Sequence, residues 1–136
     1  MHKLLQFLMI ILLILPCAAL AKTIVIEGDE AKKIYSGEKS KAKVLVQKNK
    51  EFILRMPDGV ETKKPSVINI KAGERFYIVN EEDTFVHNVY DVTDSDWVLK
   101  KQTPTNVAAV TFDSPGKHSL RCAMHPTMKI EVEVLK

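Results

Sequence analysis

Lys117-His-Ser-Leu-Arg-Cys122-Ala-Met-His125-Pro-Thr-Met128-Lys-Ile-Glu-Val-Glu-Val134 contains two runs of period two around a short loop. In the first run His118, Leu120 and Cys122 share one face, while Lys117, Ser119 and Arg121 share the other. In the second, Met128, Ile130, Val132 and Val134 alternate with Lys129, Glu131 and Glu133. Alternation of this kind marks strands with one face buried. Parity therefore sends Cys122 inward at the end of one strand and Met128 inward at the start of the next. The loop between them, residues 123–127, carries His125 and is stiffened by Pro126, whose ring fixes its own backbone and restrains the residue before it.

A second imidazole stands upstream in Val86-His87-Asn88-Val89. His87, Cys122, His125 and Met128 together supply two imidazoles, one thiolate and one thioether, the ligand set of a trigonal His₂Cys copper site with a weak axial Met. Soft sulfur favours copper over the hard cations. Structural zinc takes four Cys or His ligands, and catalytic zinc takes three ligands and a water, so a thioether suits zinc poorly even though the other three groups fit it. An iron-sulfur cluster needs more cysteines than Cys17 and Cys122 provide. His118 lies four residues from Cys122 along an extended strand, about 13 Å away, too far to share an ion, and reads as a packed, hydrogen-bonded imidazole.

At these residues the chain resembles the cupredoxins, the small blue-copper proteins that include plastocyanin, pseudoazurin and amicyanin, and its Cys-x-x-His-x-x-Met loop is most similar to that of amicyanin. The resemblance runs over residues 65–136. It takes in Val67-Ile-Asn-Ile-Lys-Ala-Gly73, Phe76-Tyr-Ile-Val-Asn80, His87-Asn88-Val89 and Phe112-Asp-Ser-Pro-Gly116. Val86 stands where a Pro often precedes the first His, and His118 stands where the family usually has Tyr. Residues 22–64 match poorly. The resemblance implies an all-β, Greek-key β-sandwich holding one copper ion that cycles between Cu(I) and Cu(II). It implies Met128 rather than Met124 as the axial ligand, Asn88 as the residue tying the loop to the strand of His87, and His125 as the exit for the electron. Met124, Pro126 and Thr127 then surround that exit as a docking patch.

The rest of the chain is punctuated by turn residues between short period-two runs, the signature of a β-sandwich or barrel. Residues 66–71 and 74–80 flank Ala72-Gly73 as a hairpin, and residues 85–92 form the strand carrying His87. Residues 107–112 form another strand, turned by Ser114-Pro115-Gly116 into the strand of Cys122. Residues 43–47 and 52–56 are strands around Lys48-Asn49-Lys50, and Pro57-Asp58-Gly59 makes a turn. The polar stretch 27–41 contains a short helix over 29–35.

Residues 1–21 have a charged start at Lys3, an apolar run from Leu4 to Leu15, Pro16, and Ala19-Leu20-Ala21 before Lys22. This is the pattern of a cleaved signal peptide. Retention as a membrane anchor is the rival reading, since the apolar stretch approaches the ~18 residues of a spanning helix. Lipidation at Cys17 is disfavoured by Pro16. Cleavage leaves residues 22–136 as one domain, a divergent part over 22–64 and a copper-site part over 65–136, and removes Lys3, so the net charge falls from +3 to +2. That charge argues neither for nucleic acid nor for an acidic lipid surface. Cys122 is then a lone thiol in an exported, periplasmic chain, which metal binding would protect. No Ser-His-Asp arrangement or acid-base pair indicates an enzyme. The expectation is a monomeric periplasmic one-electron carrier between redox partners, with Lys100 and Lys101 steering an acidic one. The alternative is a protein that delivers, stores or senses copper.

Overall fold

The computed structural model describes residues 22–93 and 97–136; the signal-peptide reading, with Cys17 and the cleavage site, lies outside the described residues. Among those residues the elements run β1 (Thr23–Glu27), α1 (Gly28–Glu38), β2 (Val44–Lys48), β3 (Glu51–Arg55), β4 (Glu61–Lys63), β5 (Val67–Lys71), β6 (Arg75–Asn80), β7 (Val89–Asp91), β8 (Val107–Phe112), β9 (Gly116–Cys122) and β10 (Lys129–Leu135). They build a six-stranded sheet in the order β1-β8-β6-β2-β3-β4 and a four-stranded sheet in the order β5-β10-β9-β7. The result is an all-β sandwich with one helix added to an outer face. Among the described residues no helix is long and apolar enough to cross a membrane.

The two sheets show different burial patterns for a physical reason. In β10 every second residue is buried, and in β5 only Ile68 and Ile70 are, as expected of a sheet with one wet face. β2 and β8 are buried almost throughout, because their sheet is covered on both sides. One side packs Leu45, Phe76, Ile78, Ala108 and Val110 against Ile68, Leu120, Ile130 and Val132 of the facing sheet. The other places Val44, Val46, Tyr77, Val79 and Ala109 under Ala31, Ile34 and Tyr35 of α1. The helix opens at Gly28, whose φ of 71° is open to glycine without penalty, and its first turn carries Asp29 and Glu30, which suit the positive end of the helix dipole.

Several expectations need correction. Ala72-Gly73 does not close a hairpin: β5 pairs in parallel with β10 of the small sheet, while β6 lies between β2 and β8 of the large one, so the turn carries the chain across the sandwich. Ser114-Pro115-Gly116 does the same between β8 and β9. Turn chemistry alone is identical whether the chain returns to its own sheet or crosses to the other. The strand expected over 85–92 shrinks to β7, and His87 sits instead in an isolated bridge with Gln102. The helix is longer than the 29–35 expected, and β1 and β4 are strands that were not expected. The β2–β3 hairpin is as read, with Asn49 (φ 54°) and Lys50 (φ 58°) forming the two-residue turn that matches strand twist.

Candidate metal centre

The site stands at one end of the sandwich, where β9 runs out. Cys122 closes that strand opposite Val89 of β7. The following loop folds back on itself, the Cys122 N–H donating to the Met128 carbonyl (3.2 Å) and the Met128 N–H to the His125 carbonyl (2.9 Å). Ala123 N–H donates to Asn88 O (2.9 Å), which fastens the loop to the segment of His87. His87 is itself pinned by two bonds with Gln102, of 3.0 and 2.7 Å.

These restraints bring three ligand atoms together. The Nδ1 atoms of His87 and His125 lie 3.1 Å apart, and Cys122 Sγ lies 3.6 Å from the first and 3.8 Å from the second. A point equidistant from all three lies ~2.0 Å from each, close to the 2.0–2.1 Å of metal–imidazole bonds and somewhat inside a metal–thiolate bond near 2.3 Å. Three lone pairs at such spacing fit one ion better than they fit one another. His87 and Cys122 are buried and His125 is half-buried, so the ion would have two shielded ligands and one near solvent. Burial works against ionising the Cys122 thiol, but the His87 imidazole beside it, the Asn88 N–H (3.5 Å), the His125 imidazole and the Met124 N–H outweigh it and bring its pKa down to about 6. The surroundings thus favour the thiolate, the form that binds soft metals.

Glu82, which sequence reasoning missed, orients the first ligand. His87 Nε2 donates to Glu82 Oε1 at 3.1 Å, which leaves Nδ1 deprotonated and free to bind a metal, the usual outer partnership of a ligating imidazole. Glu82 is itself buried. Burial disfavours its charge, yet the Lys50 N–H (2.6 Å), His87 and the Asn49 N–H (2.9 Å) together hold its carboxyl below the usual range. Those two N–H groups belong to the β2–β3 turn, so the divergent N-terminal part takes a direct share in building the site. One acid of the Glu81-Glu82-Asp83 run, five residues before a His, gives no local pattern; only the tertiary approach of the β2–β3 turn defines its role.

The remaining predicted residues are placed as follows. Met128 is buried among Leu120, Cys122 and Ile130, at the inner end of the loop. Asn88 does tie the loop to the His87 segment, but through its backbone; its side-chain amide donates to Leu99 O at 2.6 Å. Met124, Pro126 and Thr127 are exposed. Phe85, also missed and 42% exposed, meets the His125 ring edge-on at 6.1 Å, and the Lys50 ammonium lies 4.1 Å over the Phe85 ring. His118 is remote from the site: it donates to buried Asp91 at 2.6 Å and stacks on Phe112 at 4.0 Å.

No protein-family profile and no curated protein matches this sequence. Solved structures do. A reduced variant of amicyanin shares 18% identity and superposes with a TM-score of 0.58, covering 82% of this chain and 98% of that one. This chain has the cupredoxin fold. Amicyanin from Paracoccus versutus shares 25% identity at a TM-score of 0.54, over 70% of this chain and 82% of that one. A Cu(I) amicyanin variant at pH 4 shares 19% at 0.55, over 70% and 83%. The first of these alignments is longer than residues 65–136, so the cupredoxin frame reaches into the part of the sequence that carries no recognisable cupredoxin motif.

Proposed function

We propose that the chain is an exported, monomeric type 1 copper protein that carries single electrons between redox partners in the periplasm, with His87, Cys122, His125 and Met128 holding one copper ion. The observation that carries this reading is the convergence of one thiolate and two imidazole nitrogens on a point ~2.0 Å from each, with a buried thioether at the inner end of the same loop. Copper bound there would supply a Cu(I)/Cu(II) couple accommodated with little change of geometry.

The chain's own residues do the rest. The groups around Cys122 favour its thiolate, the form that binds a soft metal. Glu82 fixes the tautomer and ring plane of His87, and Gln102 fixes its backbone. Both sheets hold the surrounding frame, and the backbone bonds of Cys122 with Met128 and of Met128 with His125 restrain the loop that would hold the ion. His125 is the half-exposed ligand, and Phe85, Met124 and Pro126 around it form an apolar surface suited to brief encounters, for which interfaces below ~1,200 Å² are typical.

The test is copper retention on cycling. Copper-loaded protein reduced and reoxidised repeatedly beside a Cu(I) chelator is expected to keep one copper per chain and return the same spectrum each time. Surrender of Cu(I) on the first reduction would replace the carrier reading with the delivery reading.

A further inference from the structure

A groove of about 770 Å³ opens at the metal end of the sandwich, between the β2–β3 turn and the end of β4 on one sheet and the metal loop with the start of β10 on the other. Its volume lies within the ~300–1,000 Å³ of ordinary binding clefts. Thr127 and Met128 of the metal loop form part of its wall, and Phe52 and Ile130 form its floor. Four cations line it: Lys50, Lys64, Arg121 and Lys129.

Two of those cations are already matched. Lys64 pairs with Glu51 at 3.0 Å, and Arg121 pairs with Glu131 at 3.3 Å. Lys50 and Lys129 have no carboxylate partner among the described residues; the first sits in the β2–β3 turn of the large sheet and the second at the start of β10 in the small one. Lys50 also links the groove to the surface around His125, because its ammonium rests on Phe85 and Phe85 rests on His125. Groove and exit ligand therefore make one continuous face.

We propose that this groove seats an acidic, extended segment of a redox partner, its carboxylates bridging Lys50 and Lys129 while the partner's apolar contact reaches Phe85 and His125. The proposal rests on the carrier reading above and names the partner's chemistry. The carboxylates of such a segment complement the two unpaired cations, and its unpaired backbone can meet the polar rim. Lys100 and Lys101 stand elsewhere, next to Glu27, whose carboxylate accepts from the Lys100 N–H.

The experiment is an NMR titration of diamagnetic Cu(I)-loaded protein with a synthetic Glu-Glu-Val-Glu-Glu peptide, and with a Gln-for-Glu version of it. The acidic peptide is expected to move the amides of Ser66, Thr127 and Lys129, to lose its effect at high salt, and to bind about tenfold more weakly to a Lys50→Gln/Lys129→Glu variant, the scale of two exposed ion pairs. Lys100→Glu/Lys101→Glu should bind it as the parent does. The proposal is overturned if shifts are spread evenly over all lysines, if the Gln peptide binds equally, or if citrate saturates the same amides as tightly as the peptide, which would mark a site for small anions. Running the titration on metal-free protein separates the two readings. Peptide binding there, in a chain whose copper is lost on reduction, would leave the groove standing and remove the carrier; the converse would remove the groove alone.

Discussion

Replacing Glu82 by Gln tests whether the β2–β3 turn and the first imidazole are held by one buried carboxylate. In the parent, Oε1 accepts from the Lys50 N–H at 2.6 Å and from His87 Nε2 at 3.1 Å, while Oε2 accepts from the Asn49 N–H at 2.9 Å. An amide offers only one oxygen. If it faces Lys50 and His87, its NH₂ opposes the Asn49 N–H; if it faces Asn49, two donors lose their acceptor. At least one charge-assisted hydrogen bond is lost in a buried setting, which costs about 2 kcal/mol. For a domain of this size that lowers the melting temperature by roughly 6–12 °C. Loss of an outer partner of a ligating imidazole should also weaken metal binding by about 10–100-fold. Thermal unfolding of the metal-free variant reads the first effect and competition with a chelator of known affinity reads the second, with exposed Asp83→Asn as the neighbouring control. A Glu82→Gln protein that melts with the parent and binds copper equally well would refute the reasoning.

Three further outcomes are expected. Met128→Gln should retain copper but shift its potential and spectrum, whereas Met124→Gln should leave both nearly unchanged; the reverse, read by voltammetry, would make Met124 the axial ligand. Met124→Lys should slow electron self-exchange in stopped-flow or NMR line-broadening measurements with the copper spectrum intact, and an unchanged rate would remove the loop from the contact surface. Arg55→Gln should cost about 1–2 kcal/mol at neutral pH, because Arg55 binds both oxygens of Glu81 at 2.8 and 2.9 Å and also reaches Glu61. That hydrogen bonding outweighs burial and holds the Glu81 carboxyl below its ordinary range, so the stability it contributes is present at neutral pH and is lost as pH falls through the carboxylate range. Denaturant titrations across pH should therefore show a shallower acid limb in Arg55→Gln, and an identical limb would sink the assignment.

What was legible in the sequence follows the range over which each signal acts. The inward parity of Leu120, Cys122, Ile130 and Val132 is set by a two-residue period, and the structure buries each of them. The spacing from Cys122 to His125 lies within one tight loop, so it too could be read locally. Sheet membership could not. Whether the chain after Gly73 returns beside β5 or crosses to β2 and β8 depends on which face of β6 finds cover, and that cover is partly α1, which ends at Glu38, far upstream of Arg75. The same limit explains Glu82 and Phe85. Each acts on a ligand brought close only by folding, and each looks like an ordinary surface residue in its own neighbourhood. Even Asn88 illustrates it: the link to the loop was expected, but only the folded backbone shows that the N–H and C=O of Asn88 supply it.

The central claim is that His87, Cys122 and His125 bind copper as a trigonal thiolate site. Its most direct test is the visible and EPR spectrum of the chain from Lys22 onward loaded with one equivalent of Cu(II), beside Cys122→Ser. The account predicts an intense blue charge-transfer band with a narrow copper hyperfine splitting in the parent, both absent from the Ser variant. A colourless copper-loaded parent with an ordinary tetragonal signal, or a Ser variant that stays blue, would contradict it.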